Sequence, residues 1–348
     1  MLNTGTRDIP LQFAKQLSDI VNAEWEQGTF MQKVSTITQD LLRFWFSPAF
    51  CDERRINFHE GQKQAILNTI YCHEILKTTS VFDMYQQASE SIMDDQFLNT
   101  IRADKFAHPK YCIKMATGTG KTWVMHALLI WQMLNARHEE IPSGRFTKNF
   151  LIVAPGLIVY DRLLDAFCGR IERGTNSRNF ETNDFYLNQD VFIPNYLRQE
   201  VFSFIQNNVV TKEEGIGRKT TGDGLIALTN WHLFENQTDN TIPNEDEEEL
   251  NDKSLVDALL PIRPGTTTGN DLGMLDRRYL RGSELEYLAD LDDIMVINDE
   301  AHHIHELRDN DEVEWQKGLN IIAARKGERF FQVDFSAKIG RASCRERV

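Results

Sequence analysis

The chain has 348 residues, 41% hydrophobic and 26% charged, which is ordinary for a globular protein with a real core and long enough for about two domains. No stretch stays apolar for the ~20 residues of a membrane-spanning helix, and the opening MLNTGTRDIP lacks the basic-then-apolar layout of a signal peptide. A formal net charge of −14 excludes a generally basic nucleic-acid coat but not a local basic groove, and part of it sits in one solvated run, Pro243–Asp252.

In chain order, residues 1–57 are predicted as a helical region separate from the rest of the chain. IPLQFAKQLSDIV spaces its apolar residues at helical intervals, and STITQDLLRFWF opens on Ser35 as an N-cap. Phe58–Lys77 is predicted as a further helix. From Tyr111 the texture changes. YCIKMA reads as a strand, KTWVMHALLIWQML as a helix apolar on nearly every side, NFLIVAPG as a strand and LIVYDRLLDAF as a helix. LIALTN (Leu225–Asn230), DIMVIND (Asp293–Asp299) and FFQVDFSA are predicted as three more strands. Apolar strands interleaved with helices predict an α/β fold, a mainly parallel sheet flanked by helices on both faces. The long polar stretches near 172–222 and 235–290 read as insertions with some structure of their own. No internal repeat is present. The cysteines at 51, 72, 112 and 168 lack metal-ligand spacing and read as the reduced thiols of a cytoplasmic protein.

KMATGTGKTWVM (Lys114–Met125) carries the strongest chemistry: a strand ending at Ala116, a glycine-rich turn, and a helix opening at Lys121–Thr122. Phosphate binding needs this context. Gly118 and Gly120, alternating with Thr117 and Thr119, let backbone N–H groups turn onto phosphate oxygens, and the helix N-terminus adds its positive dipole end. Lys121 would neutralise the β- and γ-phosphates of ATP, and the Thr122 hydroxyl would take a Mg²⁺ position. The strict pattern has Gly where this chain has Met115, and a glycine turn that binds nothing is the alternative. In VINDEAHH (Val296–His303) a buried strand delivers two adjacent carboxylates at its end, which is costly unless a cation or a reaction uses them. Asp299 is predicted to hold Mg²⁺ and Glu300 to orient and deprotonate the attacking water. His302, His303 and His305 admit a metal-cluster reading, but no cysteine joins them. His302 reads better as a switch group beside the γ-phosphate.

MATGTGKT, DEAH and DFSA stand in the order of motifs I, II and III of superfamily 2 helicases. MATGTGKT with NDEAHHIHE most resembles the helicase (Res) subunit of type III restriction enzymes, over residues 58–337. The resemblance implies the first of two RecA-like lobes of an ATP-driven translocase on duplex DNA, partnered by a modification (methyltransferase) subunit that supplies sequence specificity. By position, FHEGQKQAI resembles the motif in which Gln62 reads the adenine edge, with Gln64 a competing candidate. APGLIVYDR resembles motif Ia, with Pro155, Gly156 and Arg162 near the nucleic-acid backbone; a plain turn with a solvated Arg is the alternative. LTNWH resembles the next strand-end motif, with Thr229 and Asn230 offering donors to phosphate. Ser336 of DFSA would couple the nucleotide site to the rest of the enzyme. Two rival readings remain: another superfamily 2 helicase acting in repair or on RNA, and a catalytically silent nucleotide-binding module.

Motif III in this family continues Ser-Ala-Thr, but here Lys338 stands where Thr belongs. From Ile339, IGRASCRERV matches one reading frame of a common sequencing-library adapter. Residues 338–348 therefore read as a non-native tail, and the chain as a fragment whose second lobe, arginine finger and nuclease domain would lie downstream. Such a fragment would bind ATP·Mg²⁺ weakly and turn it over hardly at all.

Overall fold

The computed structural model describes residues 9–89, 95–103, 106–140, 143–172, 174–175, 177–230, 284–299, 301 and 309–337. The expectations placed on Glu300, His302, the 235–283 part of the second insertion, the acidic run at 243–252 and the tail 338–348 lie outside these residues.

Six strands form one parallel sheet in the order β1-β8-β7-β2-β6-β5, where β1 is Lys110–Lys114, β2 Asn149–Ala154, β5 Val209–Val210, β6 Leu225–Asn230, β7 Ile294–Asn298 and β8 Phe330–Ser336. The five long strands are those predicted. Because side chains alternate between faces, each buried strand feeds two cores. Phe150, Ile152, Ile226, Leu228, Met295, Ile297, Phe331 and Val333 belong to the larger one. Leu151, Val153, Leu225, Ala227, Ile294, Val296 and Phe330 meet Leu288, Leu319 and Ile322 on the opposite face. Helices cover both faces of the sheet, and the fold is RecA-like.

Helix α8 (Lys121–His138) is buried from Val124 to Asn135 without interruption, as its all-round apolar sequence requires. The N-terminal helices α1 (Ile9–Gln27) and α3 (Thr36–Phe46) bury Phe13, Leu17, Val21, Leu41 and Trp45 in the same core as α5 (Glu60–Ile70) and α8. The region predicted as separate thus shares its interior with the sheet domain: two amphipathic stripes bury their apolar sides against it. Ser35 caps α3 as predicted, accepting from the Thr38 N–H. Helix α5 does not continue evenly to Lys77. It passes into a π-helical turn at Tyr71–Ile75, where the Leu76 N–H reaches the Tyr71 carbonyl at 2.8 Å. On that turn Glu74, nine-tenths buried, accepts from the Ser35 N–H, the Thr38 hydroxyl (2.8 Å) and the Trp131 indole N–H (3.2 Å). Burial pushes its carboxyl pKa up, partly opposed by these donors.

The stretch 172–222 does carry structure. It begins within a short antiparallel pair, β3 (Arg170–Ile171) with β4 (Arg178–Asn179), continues through helices Asp184–Leu187, Gln189–Phe192 and Arg198–Asn208, and donates β5 to the sheet edge. Trp45 of α3 donates to the Phe192 carbonyl at 2.9 Å, which ties this stretch to the N-terminal helices. Among the described residues no helix is long and apolar enough to cross a membrane, and no His, Cys, Asp and Glu group gathers as a metal cluster.

Candidate nucleotide-binding site

Strand β1 ends at Lys114, and the chain turns through residues 115–120 into α8. Gly118 and Gly120 hold φ of +79° and +76°, left-handed backbone that other residues enter only with strain. At Gly120 the requirement is doubled: a Cβ there would lie 2.3 Å from Gln62 Nε2. Gly118 faces open space, with nothing within 4 Å of a Cβ position. Met115 departs from the strict glycine pattern without cost, because it takes no positive φ and its N–H continues the sheet ladder to the Ser336 carbonyl at 3.0 Å. Thr117 and Gly118 are exposed, Thr119, Gly120 and Thr122 half-buried, and Lys121, the first residue of an 18-residue helix, is 8% exposed. An exposed glycine cradle, a helix N-terminus and a lysine at its first position fit a triphosphate.

Strand β8 links the two halves of the site. It lies between β1 and β7, so the glycine loop and the carboxylate-bearing strand end stand one strand apart. The Ser336 carbonyl takes the Met115 N–H, and the preceding carbonyl, of Phe335, takes the Ala301 N–H at 2.7 Å. Asp299, 8% exposed, donates its N–H to Val153 at 2.9 Å. Below it a buried polar ladder crosses three strands. The Asp334 carboxylate accepts from the Asn298 amide (2.6 Å) and the Gln332 amide (2.7 Å), and its second oxygen faces Lys110 Nζ at 3.5 Å. Sequence reasoning missed Asp334 and Lys110; the alternation of Gln332, Asp334 and Ser336 along an apolar strand was the available signal.

Gln62 and Thr119–Gly120 come together across more than fifty residues. Gln62 Nε2 donates to the carbonyls of Thr119 (3.3 Å) and Gly120 (3.1 Å), and its Oε1 accepts from the His59 N–H at 3.0 Å. Gln64, the competing candidate, instead donates to Asn68 Oδ1 at 2.8 Å.

A family model described as "Type III restriction enzyme, res subunit" matches residues 55–341. The chain belongs to this family. Neither a curated protein nor a solved structure matches it. Membership of the Res family makes the sheet domain a helicase-like nucleotide-binding module, and the match spans the loop and strand ends just described.

The other strand ends of this Res-family module are built differently. Ala154 pairs with Asn230, which aligns the turn Pro155–Gly156 with the end of β6. Helix α9 (Leu157–Cys168) begins there with extended backbone at Gly156 and no side-chain cap. Leu157 and Ile158 are 54% and 70% exposed, and Arg162 is exposed one turn further on. Thr229 and Asn230 are buried; the Thr229 hydroxyl donates to the Asn230 carbonyl at 3.3 Å, and neither atom of the Asn230 amide has a hydrogen-bond partner among the described residues. A buried amide in that state forfeits roughly 1–3 kcal/mol. Under α8, one turn past Thr122, His126 is enclosed by Phe167, Phe185 and Phe192. Burial lowers its pKa to about 3, which keeps the ring neutral.

Proposed function

We propose that this chain is the ATP- and Mg²⁺-binding lobe of a Res-type helicase that acts on duplex DNA in the cytoplasm, in complex with a modification (methyltransferase) subunit. One observation carries the reading: a glycine loop opening onto Lys121 lies one strand away from the strand end that delivers Asp299. In this reading the N–H groups of residue 118 and residues 120–122 and the Lys121 ammonium bind the phosphates, and Asp299 and the Thr122 hydroxyl hold Mg²⁺. The metal supplies charge neutralisation across the phosphate oxygens. Glu300 takes the proton of the attacking water, and His302 with Ser336 relays the state of the site. Gln62 keeps one Oε1 lone pair beyond its bond to the His59 N–H, an acceptor suited to the amino group of adenine. Pro155, Gly156, Arg162, Thr229 and Asn230 form the edge for the nucleic-acid backbone; the Asn230 amide, without a partner among the described residues, supports that assignment.

The test is duplex-DNA affinity measured with and without an ATP analogue and Mg²⁺. A nucleotide-dependent change, larger for duplex DNA than for RNA, is expected. An equal response to RNA would favour an RNA helicase, and a chain that binds no nucleotide would contradict the reading.

A further inference from the structure

His59 stands three residues ahead of Gln62, inside the stretch FHEGQKQAI but with no role assigned to it above. Its ring Nδ1 accepts from the N–H groups of Gly61 (3.1 Å) and Gln62 (3.3 Å) and so caps α5. A ring nitrogen that accepts two N–H groups carries no proton, which puts the proton on Nε2. Nε2 lies 2.8 Å from the Thr119 carbonyl, so the ring donates to the phosphate loop. With the two bonds from Gln62, consecutive carbonyls of the loop, Thr119 and Gly120, are both held toward the N-terminus of α5. In a planar trans peptide the N–H points opposite the C=O. Holding these carbonyls toward α5 therefore turns the N–H groups of Gly120 and Lys121 the other way, away from α5.

We propose that His59 is a positioning residue for phosphate recognition: its Nε2–H keeps the Thr119 carbonyl turned out of the cradle, so the loop meets a nucleoside triphosphate already in its binding shape. Preorganisation of this kind raises affinity by removing the ordering cost at the moment of binding. The inference deepens the nucleotide reading above and rests on it for the identity of the ligand. The contact to the loop itself does not depend on that reading.

Two substitutions separate the capping role from the loop role. His59→Asn places an oxygen where Nδ1 stands, and Asn is among the strongest N-caps, but nothing replaces Nε2. His59→Ala removes both. Two readouts on the 348-residue chain are needed: hydrogen exchange of the segment 115–123 in the nucleotide-free protein, and affinity for ATP with Mg²⁺. For His59→Asn the expected result is an unchanged melting temperature, faster exchange in the loop, and ATP binding weaker by about 3–10-fold, the range of one lost hydrogen bond. His59→Ala should lower the melting temperature as well. Wild-type exchange in the loop of His59→Asn would overturn the proposal whatever happens to ATP, as would wild-type ATP affinity in that variant. If the parent chain binds no ATP while His59→Asn still loosens the loop, the nucleotide reading fails and the His59 clamp stands.

Discussion

The glycine loop and the strand ends beside α9 lie at the C-terminal ends of strands of the same sheet, yet they manage polar groups in opposite ways. Around the loop, the carbonyls of Thr119 and Gly120, both ends of the Gln62 amide and both nitrogens of His59 have partners within the protein. At the ends of β2 and β6, the Asn230 amide has none among the described residues, α9 starts without a side-chain cap, and Leu157 and Ile158 are exposed. A small ligand with a fixed shape rewards a site built in advance. A long polymer that must slide and be released is better met by a surface completed only on contact. The difference is what an ATP-driven translocase would need at its two ligands.

The comparison can be broken first at the chemistry. In the intact enzyme, with its second lobe present, Glu300→Gln should cut ATP turnover by about 10²–10⁴-fold, the usual worth of a general base, while leaving ATP binding near that of the parent. Hydrolysis and equilibrium binding measured on the same preparation check it, and loss of binding would mean that Glu300 is part of the cradle. Next in size, Gly120→Val should weaken ATP by about 100-fold or more. The new side chain must hold φ at +76° and displace Gln62 Nε2, so the loop and its clamp fail together. Isothermal titration with ATP·Mg²⁺ reads this directly.

How much of this was legible in the sequence depends on the range of each interaction. The loop from Thr117 to Thr122 was readable because strand, glycine turn and helix start lie within a dozen residues. The five long strands were readable as apolar runs bounded by turns. The His59 cap was readable in principle, since H-x-x-Q repeats the spacing of a capping box with an imidazole in place of a hydroxyl. Its reach to Thr119 was not, because that contact spans sixty residues. The ladder of Lys110, Asp334 and Asn298 depends on the register of three strands, which no local pattern fixes. β5 is two residues long and joins the sheet only because β6 offers its edge. The shared core of the N-terminal helices was hidden for the same reason: an amphipathic stripe shows that a face is buried, not against what.

A third prediction uses pH to ask whether an unpartnered buried group always signals a ligand. Among the described residues His126 has a buried Nε2 without a partner, as the Asn230 amide does, but three aromatic rings seal it. Burial holds the pKa of His73 and His108 near about 4 and that of His126 near about 3. An unfolded chain takes these protons near pH 6.5 and the folded chain does not until pH 4 or below. Stability is therefore full above pH 6.5 and falls as pH drops from there toward 4, by up to about 1.4 kcal/mol per pH unit for each histidine. Glu74, raised by burial, acts in the opposite sense and offsets part of the loss. Urea midpoints between pH 7 and 4.5 should show a shallower slope for His126→Phe, with ATP affinity at pH 7 unchanged.

The smallest effect should come from the strand end itself. Asn230→Leu replaces an unpartnered buried amide with an apolar side chain of similar size, so the free protein should gain about 1 kcal/mol in stability. The same change should weaken duplex-DNA binding while sparing ATP. Stability gained with no change in DNA binding would reduce Asn230 to a packing defect and remove half of the contrast.

The central claim is that the loop ahead of α8 binds the phosphates of ATP. Calorimetric titration of the 348-residue chain with ATP·Mg²⁺, beside Lys121→Ala, tests it most directly. The account predicts saturable one-site binding that Lys121→Ala weakens by at least about tenfold, since a charge-assisted bond of roughly 1.5–3 kcal/mol is lost with the fold intact. Equal affinity in the two proteins, or no binding to the parent chain, would contradict it.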